Sequence, residues 1–240
     1  MKILAIETAT AVCGVAAIED GQILAEQCIE AQQIHSEKII GLIDQTLKVT
    51  SSHMNAFDAL AVSIGPGSFT GLRIGLSTAK GLAYALDRQM TAVSTLEALA
   101  LHALRQQLVR EDETVLSMID ARRDEVYAAC YRITNGRPRV KISPYALQMT
   151  ALAHLIEDEK KITLMGDGVE KFEQFLMNTH THDRLRFIIP TRDQRVCSAA
   201  AVGLLGEQQC QRGIYADIAS LEPMYGKDFY TTMKQPAVQA

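Results

Sequence analysis

The sequence predicts an α/β protein with two lobes, each built on a mixed β-sheet flanked by helices. The order strand, hairpin, strand, helix, strand, helix, strand occurs twice along the 240 residues. The first apolar strand ends at Glu7, and its counterpart in the second half ends at Asp120. Asp20-Gly21 and Asn135-Gly136 predict a hairpin in each half, because these dipeptides tolerate the positive φ angles of a tight turn. We therefore expect lobes at 1–110 and 111–213 and an extended tail at 214–240 that wraps the body or frays.

The individual elements follow from apolar runs bounded by turn residues and from apolar residues at helical spacing. In the first half the predicted strands are 3–7, 12–18, 23–29, 60–64 and 91–93, and the helices are 36–48, 72–86 and 95–109. In the second half the predicted strands are 114–119, 125–133, 139–142, 162–165 and 185–189, and the helices are 150–157, 169–177 and 198–211. Ser36 is expected to cap the first helix, with Glu37 in its first turn. A meander followed by right-handed crossovers, present twice, is the plan of the actin-like ATPase (ribonuclease H-like) fold.

The composition favours a globular protein and argues against nucleic-acid-binding, membrane-spanning and disulfide-rich classes. The formal net charge is −4 and the composition is 48% hydrophobic, which is ordinary for a globular chain and argues against independent binding of nucleic acid. Membrane helices need about 20 consecutive apolar residues, and we find no such stretch and no signal peptide. Five scattered cysteines without a CxxC pair predict small buried side chains in a reducing cytosol rather than disulfides or a zinc site.

The glycine-rich segment 65–75, GPGSFTGLRIG, joins a predicted strand to a predicted helix. It could hold an anion at the helix N-terminus, but it lacks the Lys of a Walker A motif, so a tight turn that sets the helix angle is favoured. Within the helix, Gly71, Gly75, Ala79 and Ala83 recur every four residues and leave one face with little side-chain bulk. Close packing should offset the cost of the glycines. That packing is either on this chain's own sheet or against a partner, and the sequence leaves both interpretations open.

Two loops after the leading strands correspond to the phosphate loops of an actin-like ATPase. Glu7, Thr8 and Thr10 offer an acid and hydroxyls, and so form a candidate vestigial phosphate loop. The matching segment 120–124, DARRD, carries bulky charged side chains where a phosphate cradle would want glycines, which argues against intact ATPase chemistry. Gly166-Asp167-Gly168 could approach a nucleotide, but a plain turn is the favoured interpretation.

Catalytic and metal-binding patterns are not recognised in the sequence. The six histidines include His180 and His182 in a polar stretch, but they form no HxxxH or HExxH pair. There is no GxSxG elbow and no cysteine in a recognisable nucleophile context. We therefore predict no catalytic residue and no metal ligand in this chain.

Several blocks together resemble the TsaB family, also called YeaZ. Segments 65–75 and 119–127 (IDARRDEVY) are the specific ones. The supporting blocks are 3–10 (ILAIETAT), 35–37 (HSE), 94–99 (STLEAL) and 223–225 (PMY). The likeness covers nearly the whole chain. This sequence departs from the family's common Asp in the first loop by having Glu7, which weakens any transfer of magnesium binding.

The resemblance implies a non-catalytic scaffold that binds and activates a TsaD-like enzyme, which transfers a threonylcarbamoyl group to the adenosine beside the anticodon of tRNAs reading A-starting codons. It implies a partner surface on the first two helices, which we assign to His35, Ile39, Leu42, Leu72, Gly75, Leu76 and Ala79. It further implies a TsaE-like ATPase partner, a homodimer when the chain is alone, indirect contact with tRNA and a cytoplasmic location. ATP and magnesium would be used by the complex, with ADP as a candidate ligand near a partner interface.

Two other functions compete with this one. The first is an ATP-using kinase or ATPase that acts alone, suggested by Glu7, Thr8 and the 166–168 turn. The second is a peptidase, because relatives were once grouped with glycoproteases, although no nucleophile–base–orienter set is visible.

Overall fold

A computed structural model describes residues 1–31, 34–157, 159–179 and 186–225. In the first half the elements are β1 (Lys2–Glu7), β2 (Val12–Glu19), β3 (Gln22–Glu30), α1 (His35–Val49), β4 (Ala59–Gly65), α2 (Phe69–Leu86), β5 (Gln89–Ser94) and α3 (Thr95–Arg105). In the second half they are β6 (Thr114–Asp120), β7 (Glu125–Thr134), β8 (Arg137–Gln148), α4 (Met149–Leu155), β9 (Ile162–Met165), α5 (Val169–Asn178), β10 (Phe187–Ile188) and α6 (Ala199–Gln211). The predicted duplication is confirmed element by element.

The two sheets have the same topology. The first runs β3-β2-β1-β4-β5 and the second β10-β9-β6-β7-β8. In each, the two hairpins pair antiparallel, while the strands reached by helical crossovers pair parallel. Asp20 and Gly21 have φ angles of 48° and 76°, and Asn135 and Gly136 have 53° and 67°, so both predicted tight turns are present.

Five layers stack through the molecule. Helices α1 and α2 cover the outer face of the first sheet, where Leu4 and Ile6 of β1 meet Ile39 and Leu76. Helices α3 and α6 lie between the two sheets. Helices α4 and α5 cover the outer face of the second sheet. The inner strands of both sheets are therefore buried on two faces, which explains why they read as almost continuous apolar runs, whereas the edge strands β3 and β8 are largely exposed.

Packing does not follow the predicted boundary between residues 110 and 111. Helix α6 belongs to the second half by sequence, yet it packs on β1, β2 and β4 of the first sheet. A Cβ atom at Gly206 would overlap the Cβ of Ala61, so this approach requires glycine. Helix α3 is shared, since Leu101 faces the first sheet and Leu99 faces the second. The two sheet-centred halves are therefore joined by the helices α3 and α6 that lie between them.

Three local predictions need correction. Helix α1 starts at His35 behind Ile34 without a side-chain cap, so Ser36 is not the cap. Helix α2 starts at Phe69, three residues earlier than predicted, because the Ser68 hydroxyl accepts a hydrogen bond from the Gly71 N–H at 3.2 Å. Strand β8 covers Arg137–Gln148 instead of 139–142, although most of its side chains are exposed.

The tail after α6 runs back across the first sheet as far as the structure describes it. The Ala216 N–H donates to the Met90 carbonyl at 2.8 Å, and the Met224 N–H donates to the Ile64 carbonyl at 2.7 Å. Between these points Ile218 and Leu221 pack against the core beneath α1 and α2. The predicted wrapping is thus seen for 214–225, which we call the strap, while 226–240 lie outside the described residues.

The structure also bears on the predictions for the cysteines, for membrane helices and for His180 and His182. All five cysteines are free; four are buried and Cys28 is exposed. Helices of the described segments include none with the length and apolarity needed to cross a membrane. His180 and His182 lie outside the described residues, as does part of the strand predicted at 185–189.

Candidate functional site

The glycine segment packs against the loop that follows β1. The Ser68 N–H donates to the Ala9 carbonyl at 2.6 Å. A Cβ atom at Gly67 would overlap that same carbonyl, and one at Gly71 would overlap the carbonyl oxygen of Thr8. One turn further on, a Cβ at Gly75 would overlap the Thr8 hydroxyl. The glycines therefore let α2 and its leading turn lie directly on the 8–10 loop, and the tight-turn interpretation of this motif is confirmed.

This contact decides which way the small-residue face points. Gly71, Gly75, Ala79 and Ala83 are all buried against the chain's own first sheet and its loop. The seven residues that the sequence assigned to a partner surface are also buried: His35, Ile39, Leu42, Leu72, Gly75, Leu76 and Ala79. The bare face of α2 is therefore covered by the chain's own sheet and loop, and these seven residues are buried in the folded chain rather than exposed on its surface.

The opposite faces of α1 and α2 are exposed and form one surface, because both helices lie side by side on the first sheet. We call it the paired-helix surface and define it by Ile40 and Gly41 on α1 and by Arg73, Ser77, Gly81 and Tyr84 on α2. Ile40 is 60% exposed and Tyr84 is 86% exposed. Arg73, Ser77 and Gly81 follow one another every four residues along α2. The surface therefore combines the large side chains of Ile40 and Tyr84 with a charged Arg73 and with the small residues Gly41, Ser77 and Gly81.

Gly41 and Gly81 are the unusual members of this surface. A Cβ atom added at either would meet no atom of the described chain within 4 Å. A glycine inside a helix costs about 1 kcal/mol relative to alanine. Packing within the described chain does not offset that cost at these two sites, in contrast to Gly71 and Gly75.

Glu7 at the end of β1 is fully buried, with 0% of its surface exposed. Its Oε1 atom accepts a hydrogen bond from the Ala9 N–H at 2.5 Å. The Oε2 atom and the nearby Ser63 hydroxyl have no hydrogen-bond partner in the described chain. Burial raises the pKa of Glu7 to about 7, from an ordinary value of 4.5. In this conformation, a carboxyl group that is buried and about half protonated at neutral pH is a poor ligand for magnesium.

The other residues of the candidate phosphate loop are also engaged within the chain. Thr8 is fully buried beneath Gly75, and its hydroxyl lacks a hydrogen-bond partner among the described residues. The Thr10 hydroxyl accepts from the Val12 N–H at 3.3 Å. The loop follows β1 as the sequence predicts, and the side chains of Glu7 and Thr8 are buried against β4 and α2 rather than directed toward an open cleft.

The matching loop of the second half is closed by its own side chains. Asp120 accepts a hydrogen bond from the Arg122 N–H at 2.7 Å and forms an ion pair with Lys171. Arg122 and Arg123 both adopt positive φ angles, of 67° and 50°. The Arg122 N–H that a phosphate would need is therefore already used. At Gly166, a Cβ atom would overlap the Met118 carbonyl, so the 166–168 turn is likewise a packing turn.

An open cavity of about 390 Å³ lies where the two halves meet, lined by Ala11, Glu30, Ala31, Arg192 and Asp193. Arg192 is paired with Glu30 at 2.8 Å. Two carboxylates facing one guanidinium that is already paired make a poor environment for phosphate groups. Within the described ranges, no group of three or more His, Cys, Asp or Glu side chains is placed to hold a metal ion.

Sequence reasoning missed a cluster at the start of α2. The Arg73 guanidinium lies 3.7 Å from the centroid of the Phe69 ring, and its Nε–H donates to the Tyr225 hydroxyl at 2.8 Å. The Phe69 and Tyr225 rings are 4.9 Å apart. The i,i+4 spacing of Phe69 and Arg73 was a usable signal. The contribution of Tyr225 was not, because it comes from 152 residues further along the chain.

Comparison with known proteins agrees with this architecture. Residues 27–216 match the family described as TsaD: tRNA N6-adenosine threonylcarbamoyltransferase. The Escherichia coli tRNA threonylcarbamoyladenosine biosynthesis protein TsaB is 42% identical over 57% of this chain and 58% of its own length. The Bacillus subtilis protein of the same name is 34% identical over 73% of this chain and 75% of its own length. The chain thus spans little more than half of the first relative and three quarters of the second.

Solved structures give the same result. YeaZ from Pseudomonas aeruginosa superposes with a TM-score of 0.77 at 28% identity, covering 93% of this chain and 99% of that one. Component A of the (R)-2-hydroxyglutaryl-CoA dehydratase of Acidaminococcus fermentans superposes with a TM-score of 0.51 over 88% of this chain and 99% of its own. At 9% identity this second likeness shows the fold alone.

The duplicated sheets, the interlocked helices and the structural neighbours together define a protein of the actin-like, ribonuclease H-like class. Within that class, the chain belongs to the TsaB (YeaZ) family.

The first prediction separates the buried glycines from the exposed ones. Gly71→Ala should destabilise the chain by roughly 2 kcal/mol, because its Cβ meets the backbone of Thr8. Gly81→Ala on the same helix should instead stabilise it by up to about 1 kcal/mol. Urea unfolding followed by circular dichroism measures both. Equal effects of the two substitutions would contradict the packing described here.

The second prediction concerns pH. The raised pKa means that the folded state keeps the Glu7 proton while the unfolded state loses it, so stability should fall as pH rises from 4.5 to about 7. The loss should approach roughly 3 kcal/mol at higher pH. Glu7→Gln should match the wild type near pH 4.5 and exceed its stability at pH 8. Urea midpoints across pH measure this, with the exposed Glu222→Gln as the control; parallel pH profiles for the wild type and Glu7→Gln would refute the burial argument.

Proposed function

We propose that this chain is a non-catalytic subunit that binds and activates a TsaD-like transferase during synthesis of threonylcarbamoyladenosine in tRNA. The names of the family's members support the pathway. The substrate would be the adenosine beside the anticodon of tRNAs that read A-starting codons. The absence of a recognised catalytic set in the sequence, and the inward-facing loop at Glu7 and Thr8, favour an accessory role over chemistry in this chain.

The observation that carries the proposal is the exposed mid-helix glycine, Gly81, beside the almost fully exposed ring of Tyr84. An exposed glycine inside a helix is costly to the free chain, and a helix from another protein could approach its backbone closely. Ile40 and Gly41 on α1 repeat the arrangement. Two such helices per subunit would form a four-helix contact. The resulting partner surface lies on the helices that the sequence indicated, but on their opposite faces.

Membership of the TsaB family suggests further partners and ligands for this chain. A TsaE-like ATPase would join the pair, ATP and magnesium would be consumed by the complex, and ADP is a candidate ligand near a partner interface. A homodimer through the paired-helix surface would be the resting state of the chain alone, since an exposed apolar face tends to find a copy of itself. We place the complex in the cytoplasm and expect tRNA to contact this chain only indirectly.

Two alternative functions can each be tested directly. An ATP-using enzyme would require Glu7 and Thr8 to become exposed, and calorimetry with millimolar ATP and magnesium would reveal binding. A peptidase is suggested by one Pseudomonas aeruginosa structure, described as an uncharacterized protein with similarity to peptidase YeaZ. Cleavage of peptide substrates by the purified chain alone would support that role.

The third prediction tests the partner surface. Gly81→Leu should not lower the unfolding midpoint, because the side chain enters open space and leucine favours a helix more than glycine does, and it should abolish pairing with the TsaD-like protein and with a second copy. Gel filtration with light scattering measures both assemblies. Gln174→Leu, an exposed leucine on α5 at the far side of the molecule, is the matched control and should pair normally.

Intact pairing by Gly81→Leu would show that the partner binds elsewhere. Gly75→Leu cannot serve in its place, since it would disturb the contact with Thr8 and so the fold itself.

A further inference from the structure

Arg73 stands at the start of the paired-helix surface, one turn before Ser77 on the same exposed line of α2. Its guanidinium is stacked 3.7 Å above the Phe69 ring and is held from the side by the Tyr225 hydroxyl at 2.8 Å. Tyr225 is in turn fixed by the strap, because the preceding residue, Met224, donates to Ile64. Two contacts therefore orient this exposed cation, and a third holds the strap that supplies Tyr225.

Only one of the N–H donor groups of the Arg73 guanidinium is engaged in a hydrogen bond with the described chain. The hydrogen bond to Tyr225 comes from Nε, and neither Nη atom donates to any residue that the structure describes. Within the same described residues, Arg73 also forms no ion pair with an Asp or Glu side chain. The Nη groups form a planar pair of donors, which matches the two oxygens of a carboxylate.

We propose that Arg73, positioned by Phe69 and Tyr225, is a preformed receptor for an Asp or Glu side chain of the protein partner that docks on the paired-helix surface. This proposal rests on the proposed function and names the polar anchor of the same surface. The strap is thereby part of the partner surface, although it belongs to the far end of the chain.

The surroundings favour a protein carboxylate over a nucleic-acid phosphate. Phe69, Ile74 and Met224 are apolar and at least partly exposed beside Arg73. Arginine flanked by aromatic rings is typical of the residues that dominate protein interfaces. Binding to a nucleic-acid backbone relies instead on several lysines and arginines acting together, and this chain carries a net charge of −4. Holding the guanidinium in place before binding also lowers the ordering cost of the contact.

The fourth prediction uses the TsaD-like protein as the probe and measures its dissociation constant by calorimetry at low and high salt. Arg73→Ala should weaken binding roughly tenfold or more and remove most of the salt dependence. Arg73→Lys should recover only part of the affinity, because an ammonium is neither planar nor bidentate. Tyr225→Phe should give an intermediate loss, since it keeps the ring and removes the hydroxyl that orients Arg73.

Control variants distinguish a failure of the Arg73 carboxylate receptor from a failure of the paired-helix surface as the partner site. Arg137→Ala, at an exposed site on β8 of the other sheet, should bind like the wild type, and thermal melting should show all variants folded. Normal binding by Arg73→Ala together with loss of binding by Gly81→Leu would overturn the carboxylate receptor and leave the partner surface standing. No binding by the wild type would overturn the proposed function and this proposal together. Binding of tRNA to the chain alone that depends on Arg73, with partner binding unchanged, would assign the residue to phosphate instead.

Discussion

The close approach of α2 to the loop after β1 determines the rest of this structure. It places Thr8 beneath Gly75 and closes the loop over Glu7, so the groups that an ATPase would direct at phosphates are buried. It also turns one face of α2 fully inward, which leaves Ser77, Gly81 and Tyr84 on the outside. This close approach thus buries the groups of the candidate phosphate loop and leaves the paired-helix surface exposed.

Much of the fold could be predicted from the sequence, because each half repeats one order of elements and the buried strands carry a strong apolar signal. The turns at Asp20-Gly21 and Asn135-Gly136 could be predicted because these dipeptides tolerate the positive φ angles that both turns adopt. The exposed part of β8 was missed, since a strand with charged and proline residues on an open edge gives little apolar pattern.

The candidate site was only half predictable. Periodicity shows that a helix has a bare face, but it does not show whether a sheet of the same chain or another protein covers that face. Gly71 and Gly81 are both glycines of α2, and only the atoms around each position show that the first is packed and the second is open. The partnership of Arg73 with Tyr225 was equally hidden, because it depends on how the strap crosses the first sheet. The pKa of Glu7 likewise follows from its burial rather than from its place in the sequence.

The position of α6 has a consequence for the synthesis of the chain. Residues 199–211 are made long after strands β1, β2 and β4, yet they cover one face of the sheet that those strands form. During translation, Ile3, Ala5 and Ile18 therefore remain uncovered by α6 until residues 199–211 have left the ribosome. A nascent chain with such an apolar face open to water is a natural client for chaperones, and fragments ending before α6 should be prone to aggregation.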